Sequence, residues 1–240
     1  MNTKGKVPAV AYFCMEFGLH PDFPIYSGGL GVLAGDYLKA AADEGYPMVG
    51  VGILWRKGYT AQYINDEGYP YDLAPEFNNF SFLKDTGVKI QVTIKQQPVT
   101  CKVWRVDYFN NAPLYLLDAD LPENKEPWLT HSLYRGSGDD RIAQEIILGV
   151  GGVRALRALG LPVDIYHFNE GHAVLAGIEL IREKMSTGLS FDQALNATRR
   201  QIVFTTHTPV PAGNEAHHHG ALDYVGAYSG LSYEQMKQIG

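Results

Sequence analysis

The chain has 240 residues, enough for one large α/β domain with a well-buried core, or for two small ones. It is 45% apolar and 19% charged, with a net charge of −6 and a pI near 5.7. That balance argues against nucleic acid or an anionic membrane surface as the main partner.

In chain order, residues 7–14 read as a buried strand, followed by a loop over 15–30 that ends in a glycine turn. The spacing of Leu33, Tyr37, Leu38 and Ala41 predicts a helix over 31–44 with those residues on its buried face and Gly45 at its end. Pro47 to Leu54 reads as a strand covered on both faces, with Gly58 to Ile64 as its antiparallel neighbour and a loop over 65–84. Alternation over 88–94, 99–108 and 113–117 predicts a small antiparallel meander beside the main sheet. A polar loop over 119–139 leads to the longest helix, Ile142 to Leu159, in which Ile146, Ile147, Val150, Val153 and Leu156 recur at helical spacing. Residues 163–167 read as a strand, 171–185 and 191–200 as helices, and 202–206 as another buried strand. Ser190 with Gln193 predicts a capping box, and the tail over 221–240 is helical in part. The alternation predicts an α/β, Rossmann-like fold: a mainly parallel, doubly wound sheet with an antiparallel meander insertion over 85–118.

Two cysteines, Cys14 and Cys101, lie in strand-like apolar patterns without metal-ligand spacing. The polar start, Met1 to Lys6, has no apolar run of signal length, and no stretch approaches membrane-spanning length, so a reduced, cytoplasmic protein is expected.

The run Ser27-Gly28-Gly29-Leu30-Gly31-Val32-Leu33-Ala34-Gly35-Asp36 is the most informative segment. Glycines opening onto a helix gather unpaired backbone N–H groups at the positive end of its dipole, which suits an anion and phosphate above all. The competing reading is a turn into a helix that binds nothing. A dinucleotide fingerprint fails in context, because a Pro-containing segment separates the loop from the strand and no acid follows about twenty residues on. A Walker loop fails for want of a following Lys-Ser or Lys-Thr. A phosphate or sugar-phosphate cradle remains.

Two further polar turns sit at strand ends, where α/β sheets bind ligands. His167-Phe168-Asn169-Glu170-Gly171-His172 crowds four polar side chains where a strand enters a helix, and Thr205 to Gly213 places His207 in a turn stiffened by two prolines. No zinc site is expected, since two histidines five apart do not share a helix face. His217-His218-His219 reads as solvated loop.

Taken together, Glu16-Phe17-Gly18-Leu19, Pro24 to Asp36, Gly50-Val51-Gly52-Ile53-Leu54, Arg141-Ile142-Ala143-Gln144-Glu145, Asn169-Glu170-Gly171-His172 and Phe204 to Gly213 resemble the glycogen (α-glucan) phosphorylases, in particular the short bacterial and archaeal branch. The resemblance runs in order from residue 8 to about 215. It implies phosphorolysis of α-1,4-glucan ends to glucose 1-phosphate by a two-domain (B-type) glycosyltransferase fold. It also implies pyridoxal phosphate on a lysine of the second domain.

Carried over by motif, Gly28, Gly29, Leu30 and Gly31 resemble the phosphate cradle and Glu16 and His207 catalytic residues. Asn169, Glu170, His172 and, in the segment Arg135–Asp140 where the family keeps a mobile gate, Asp140 resemble substrate-binding residues. No segment resembles the cofactor-bearing domain. The expectation is therefore an incomplete N-terminal phosphorylase domain over 1–240, inactive by itself, with a missing C-terminal half as partner and a homodimer allowed. A sugar-nucleotide-dependent glucan synthase and a non-catalytic glucan-binding fragment are the alternatives.

Overall fold

The computed structural model describes residues 7–73, 81–134, 136, 138–207 and 216–240. Its first half comprises β1 (Val10–Phe13), α1 (Gly29–Asp43), β2 (Met48–Ile53), β3 (Ala61–Ile64), β4 (Pro70–Leu73), β5 (Lys84–Ile94), β6 (Gln97–Val106) and β7 (Leu114–Asp118). Then α2 (Gly138–Ile146) passes through a wider π turn, Ile147–Gly151, into α3 (Gly152–Ala158). The chain continues as β8 (Ile165–Asn169), α4 (Leu175–Ser186), α5 (Phe191–Arg199), β9 (Ile202–Thr205), α6 (His219–Val225) and α7 (Tyr233–Ile239).

Seven strands form one mixed sheet in the order β5-β6-β7-β2-β1-β8-β9. The run β7-β2-β1-β8-β9 is parallel throughout, and β5-β6-β7 is antiparallel. In chain order the parallel strands lie third, second, first, fourth, fifth, the winding of Rossmann-type sheets. The order reverses between β1 and β8, so the crevice outside their carboxyl ends is where such a sheet opens a binding cleft. Opposite strand faces carry separate aromatic clusters. Tyr12 meets Tyr37 of α1 at 5.1 Å and His167 at 4.9 Å, while Phe13 meets Phe168 at 5.7 Å on the other face. Cys14 and Cys101 are buried free thiols. Among the described residues, no helix is long and apolar enough to cross a membrane.

Several expectations need correction. The meander does not pack beside the sheet: β7 pairs parallel with β2, so β5, β6 and β7 extend the same sheet. Residues 61–64 do not pair with β2, whose two edges are taken by β1 and β7; they pair with Pro70–Leu73, inside the expected loop, as a separate hairpin. On α1 the buried stripe is Gly31, Ala34, Gly35, Leu38 and Ala41. Leu33 and Tyr37, expected on that stripe, are exposed, because α1 lies so close to the chain beneath it that only small residues fit there. Strand β9 is not buried: it forms the sheet edge, and Val203 and Phe204 are 44% and 51% exposed. His217-His218-His219 is solvated loop only in part, since His218 alone of the three is exposed and α6 begins at His219. His217 faces Glu145, His218 caps α6 with its side chain, and His219 meets Tyr228.

Candidate active site

Beyond β1 the chain runs beneath the N-terminus of α1. The Gly18 amide donates to the Gly31 carbonyl at 2.7 Å, and the buried Trp55 indole donates to the Met15 carbonyl at 2.8 Å. This fastening buries Glu16 with its carboxylate against the start of α1. The carboxylate accepts from the Ser27 amide at 2.6 Å, the Gly28 amide at 3.2 Å and the Tyr134 hydroxyl at 2.7 Å. Burial and the neighbouring Glu16 push the Tyr134 phenol far up, so it stays protonated and donates.

Only from Val32 onward do the α1 amides bond back along the helix, Val32 to the Gly28 carbonyl at 3.1 Å. The Gly28 amide is taken up by Glu16, whereas those of Gly29 and Leu30 have no acceptor among the described residues and lie on a cavity wall. Gly31 is buried, and a side chain there would meet the Tyr26 Cβ at 2.5 Å and the Glu16 carboxylate at 2.7 Å. It seats the helix on Glu16 and does not line the cavity.

That cavity has a volume of about 730 Å³ and opens at the carboxyl ends of β1, β8 and β9. Its wall gathers Glu16, Gly28, Gly29 and Leu30 from the first turn, Glu170 and His172 from the end of β8, and His207 from the end of β9. Residues from positions 16, 28–30, 170–172 and 207 thus meet in one cleft. Leu33, Val174 and Phe204 supply apolar wall.

Glu170 has φ 64° and ψ 179°, a conformation that is essentially glycine's own. Its carboxylate accepts the backbone N–H of His207 and sits 3.4 Å from the Thr206 hydroxyl, joining the ends of β8 and β9. Such a conformation is costly for a non-glycine residue and persists only where its surroundings hold it. Asn169 is wholly buried behind the wall, with its Oδ1 2.8 Å from His207 Nε2. Burial and the facing His207 hold the His167 imidazole below its ordinary pKa; its Nε2 lies 2.7 Å from the Thr205 hydroxyl. Asp140, expected at the site, starts α2 and is not among the lining residues. Arg135 and Ser137 of the expected gate, and 208–215 after His207, lie outside the described residues.

Three polar wall residues were not anticipated: Tyr134, Glu145 and His217. The Tyr134 ring lies 5.6 Å from His172 and 4.9 Å from the Arg141 guanidinium. Glu145 is buried on α2, with His217 Nε2 at 3.3 Å from its carboxylate. An acid among Ile142, Ile146 and Ile147 was the available signal for Glu145; nothing local marks the other two. Among the described residues no cluster of histidine, cysteine and acids suits a metal ion.

No family model matches the chain. Curated relatives do. A maltodextrin phosphorylase of Thermococcus litoralis is 41% identical over 215 residues, covering 86% of this chain and 26% of its own length. The glycogen phosphorylase of Mycobacterium tuberculosis is 43% identical over 220 residues, 85% of this chain and 25% of the relative.

The chain is homologous to part of the glycogen and maltodextrin phosphorylases.

A third relative, the glycogen phosphorylase of Aquifex aeolicus, is 35% identical over 211 residues, 84% of this chain and 30% of its own length. The chain therefore spans about a quarter of the length of the phosphorylases it matches.

Proposed function

We propose that the chain forms one wall of the active site of a cytoplasmic α-glucan phosphorylase, which cleaves α-1,4-glucan ends with inorganic phosphate and releases glucose 1-phosphate. The observation that carries this reading is the meeting, in one cavity, of the open Gly29 and Leu30 amides with Glu16, Glu170, His172 and His207. In the proposed roles, Gly29 and Leu30 hold an oxyanion on backbone N–H groups at the helix dipole. Glu16 orients the loop that presents them, and the imidazoles and Glu170 meet sugar hydroxyls. The second domain of a two-domain glycosyltransferase fold would close the cleft.

Pyridoxal phosphate would supply a phosphate group for proton exchange with substrate phosphate. This chain's residues fit the anionic end of that chemistry through the Gly29 and Leu30 amides. Among the described residues no lysine lines the cavity, and on this reading the lysine that carries the cofactor belongs to the second domain.

The test is glucose 1-phosphate release from maltodextrin and phosphate by the chain together with the remaining phosphorylase polypeptide. Glu16→Gln and His207→Gln should each lower kcat at least about tenfold, a loss of about 1.4 kcal/mol of transition-state stabilisation. Glucosyl transfer from a sugar nucleotide without phosphorolysis would replace this reading by a glucan synthase. Oligosaccharide binding without turnover in any combination would leave a binding fragment.

A further inference from the structure

His207 reaches the cavity from the end of β9, with its ring held from behind by Asn169. That amide is wholly buried, at 0% exposure, so all its polar atoms must find partners within the protein. Its Nδ2 group donates to the Cys14 sulfur at 3.4 Å. Its Oδ1 faces His207 Nε2 at 2.8 Å. With the amide placed this way, its N–H reaches the sulfur and its oxygen faces the ring nitrogen. An acceptor at Oδ1 then requires a proton on His207 Nε2. In the neutral imidazole the other nitrogen, Nδ1, carries the lone pair.

We propose that Asn169 is a positioning residue that locks His207 as its Nε2–H tautomer, leaving Nδ1 as a bare hydrogen-bond acceptor on the cavity wall. The chain of control runs from Cys14, buried just past the end of β1, through Asn169 at the end of β8, to His207 beyond the end of β9. Burial keeps the Cys14 thiol protonated, with its pKa pushed up to about 12, so the sulfur stays neutral opposite the amide. The His207 backbone is fixed separately by its N–H on the Glu170 carboxylate. Ring and backbone are thus held by two adjacent residues, and Nδ1 has no partner among the described residues. An acceptor in that place selects a ligand group that donates a hydrogen bond. A hydroxyl fits; a phosphate oxyanion does not, and it belongs instead with the amides of Gly29 and Leu30. Assigning that hydroxyl to a glucan rests on the proposed function, but the lock does not.

The experiment is long-range ¹⁵N–¹H correlation NMR on the chain with ¹⁵N-labelled histidine, at a pH where the ring is neutral, with His207→Gln identifying its signals among the eight histidines. The expected result is a protonated Nε2 and an unprotonated Nδ1, with the Nε2 proton protected from solvent exchange. Asn169→Asp, which keeps an acceptor, should retain that slowly exchanging proton, and Asn169→Leu should lose it. A protonated Nδ1 in the unaltered chain would overturn the lock without recourse to any variant. So would a proton that stays protected in Asn169→Leu. Addition of maltoheptaose should then move the Nδ1 resonance. A locked ring whose Nδ1 ignores the oligosaccharide would count against the glucan reading and leave the lock standing.

Discussion

The glycines of α1 divide into two groups that single alanine substitutions should separate. A Cβ at position 35 would lie 2.2 Å from the Gly18 carbonyl oxygen and 2.6 Å from its carbon, both backbone atoms. The shortfall from ordinary contact is about 1 Å, and no side-chain rotation can relieve it. The helix would have to lift, stretching the 2.7 Å bond from the Gly18 amide to the Gly31 carbonyl and drawing Ser27 and Gly28 away from Glu16. Overpacking of this kind costs about 3 kcal/mol, offset by about 1 kcal/mol from replacing a mid-helix glycine with alanine. A net loss of about 2 kcal/mol lowers Tm by roughly 4–8 °C in a domain of this size.

At Gly29 a Cβ meets nothing within 4 Å. Gly29→Ala should therefore keep or raise Tm, by up to about 2–4 °C, while weakening anion binding at the adjacent amide. Gly31→Ala should fall between them, since the Tyr26 Cβ lies at 2.5 Å but the Glu16 carboxylate can swing aside. Thermal unfolding followed by circular dichroism reads all three. A Gly35→Ala protein as stable as the parent, or a Gly29→Ala protein several degrees less stable, would refute the division into seating and open glycines.

At Glu170, alanine and glycine both delete the carboxylate, but only alanine keeps the penalty of φ 64°. Glu170→Gly should therefore be the more stable of the two by about 1–3 kcal/mol in urea unfolding, and equal stabilities would remove the claim of backbone strain. Burial opposes ionisation of Glu179, but the hydrogen-bonded guanidiniums of Arg182 and Arg154 prevail and hold its carboxyl below the ordinary 4.5. Its contribution is present in full above the unfolded value and is lost as pH falls through the lower folded value. Glu179→Gln should cost roughly 2 kcal/mol at neutral pH, less than a fully buried pair because both arginines reach water, and the cost should vanish in strong acid. His167, depressed by burial and then by His207, should titrate below 6.5 by NMR, so its contribution to stability is present above 6.5 and declines as pH falls through the folded value. A normal titration would mean that its ring is solvated.

Local chemistry was readable wherever one residue's own preference decides the outcome. Ser190 and Gln193 form the reciprocal capping box that their spacing predicts. Gly45 and Gly160 end their helices with φ 61° and 67°. The stripe of Ile146, Ile147, Val150, Val153 and Leu156 is buried, although the helix widens to a π turn through part of it. The glycine turn reached the cleft by the same logic, because unpaired amides at a helix start follow from the helix itself. Periodicity failed on α1, where Leu33 and Tyr37 have the right spacing for burial. The closely approaching chain at Gly18 demanded small residues instead.

The sequence alone determined most of the helices and strands, though not the strand Pro70–Leu73, together with where most of them stop and which short turns bear polar chemistry. Those outcomes depend on interactions within a few residues. Only the tertiary structure decided that β7 lies against β2, that Glu16 occupies part of the helix start meant for an anion, and that Tyr134, Glu145 and His217 share a cavity with His207. Such pairings join residues far apart along the chain, and they are fixed by close packing across the sheet, where a neighbour's shape outweighs any residue's own propensity.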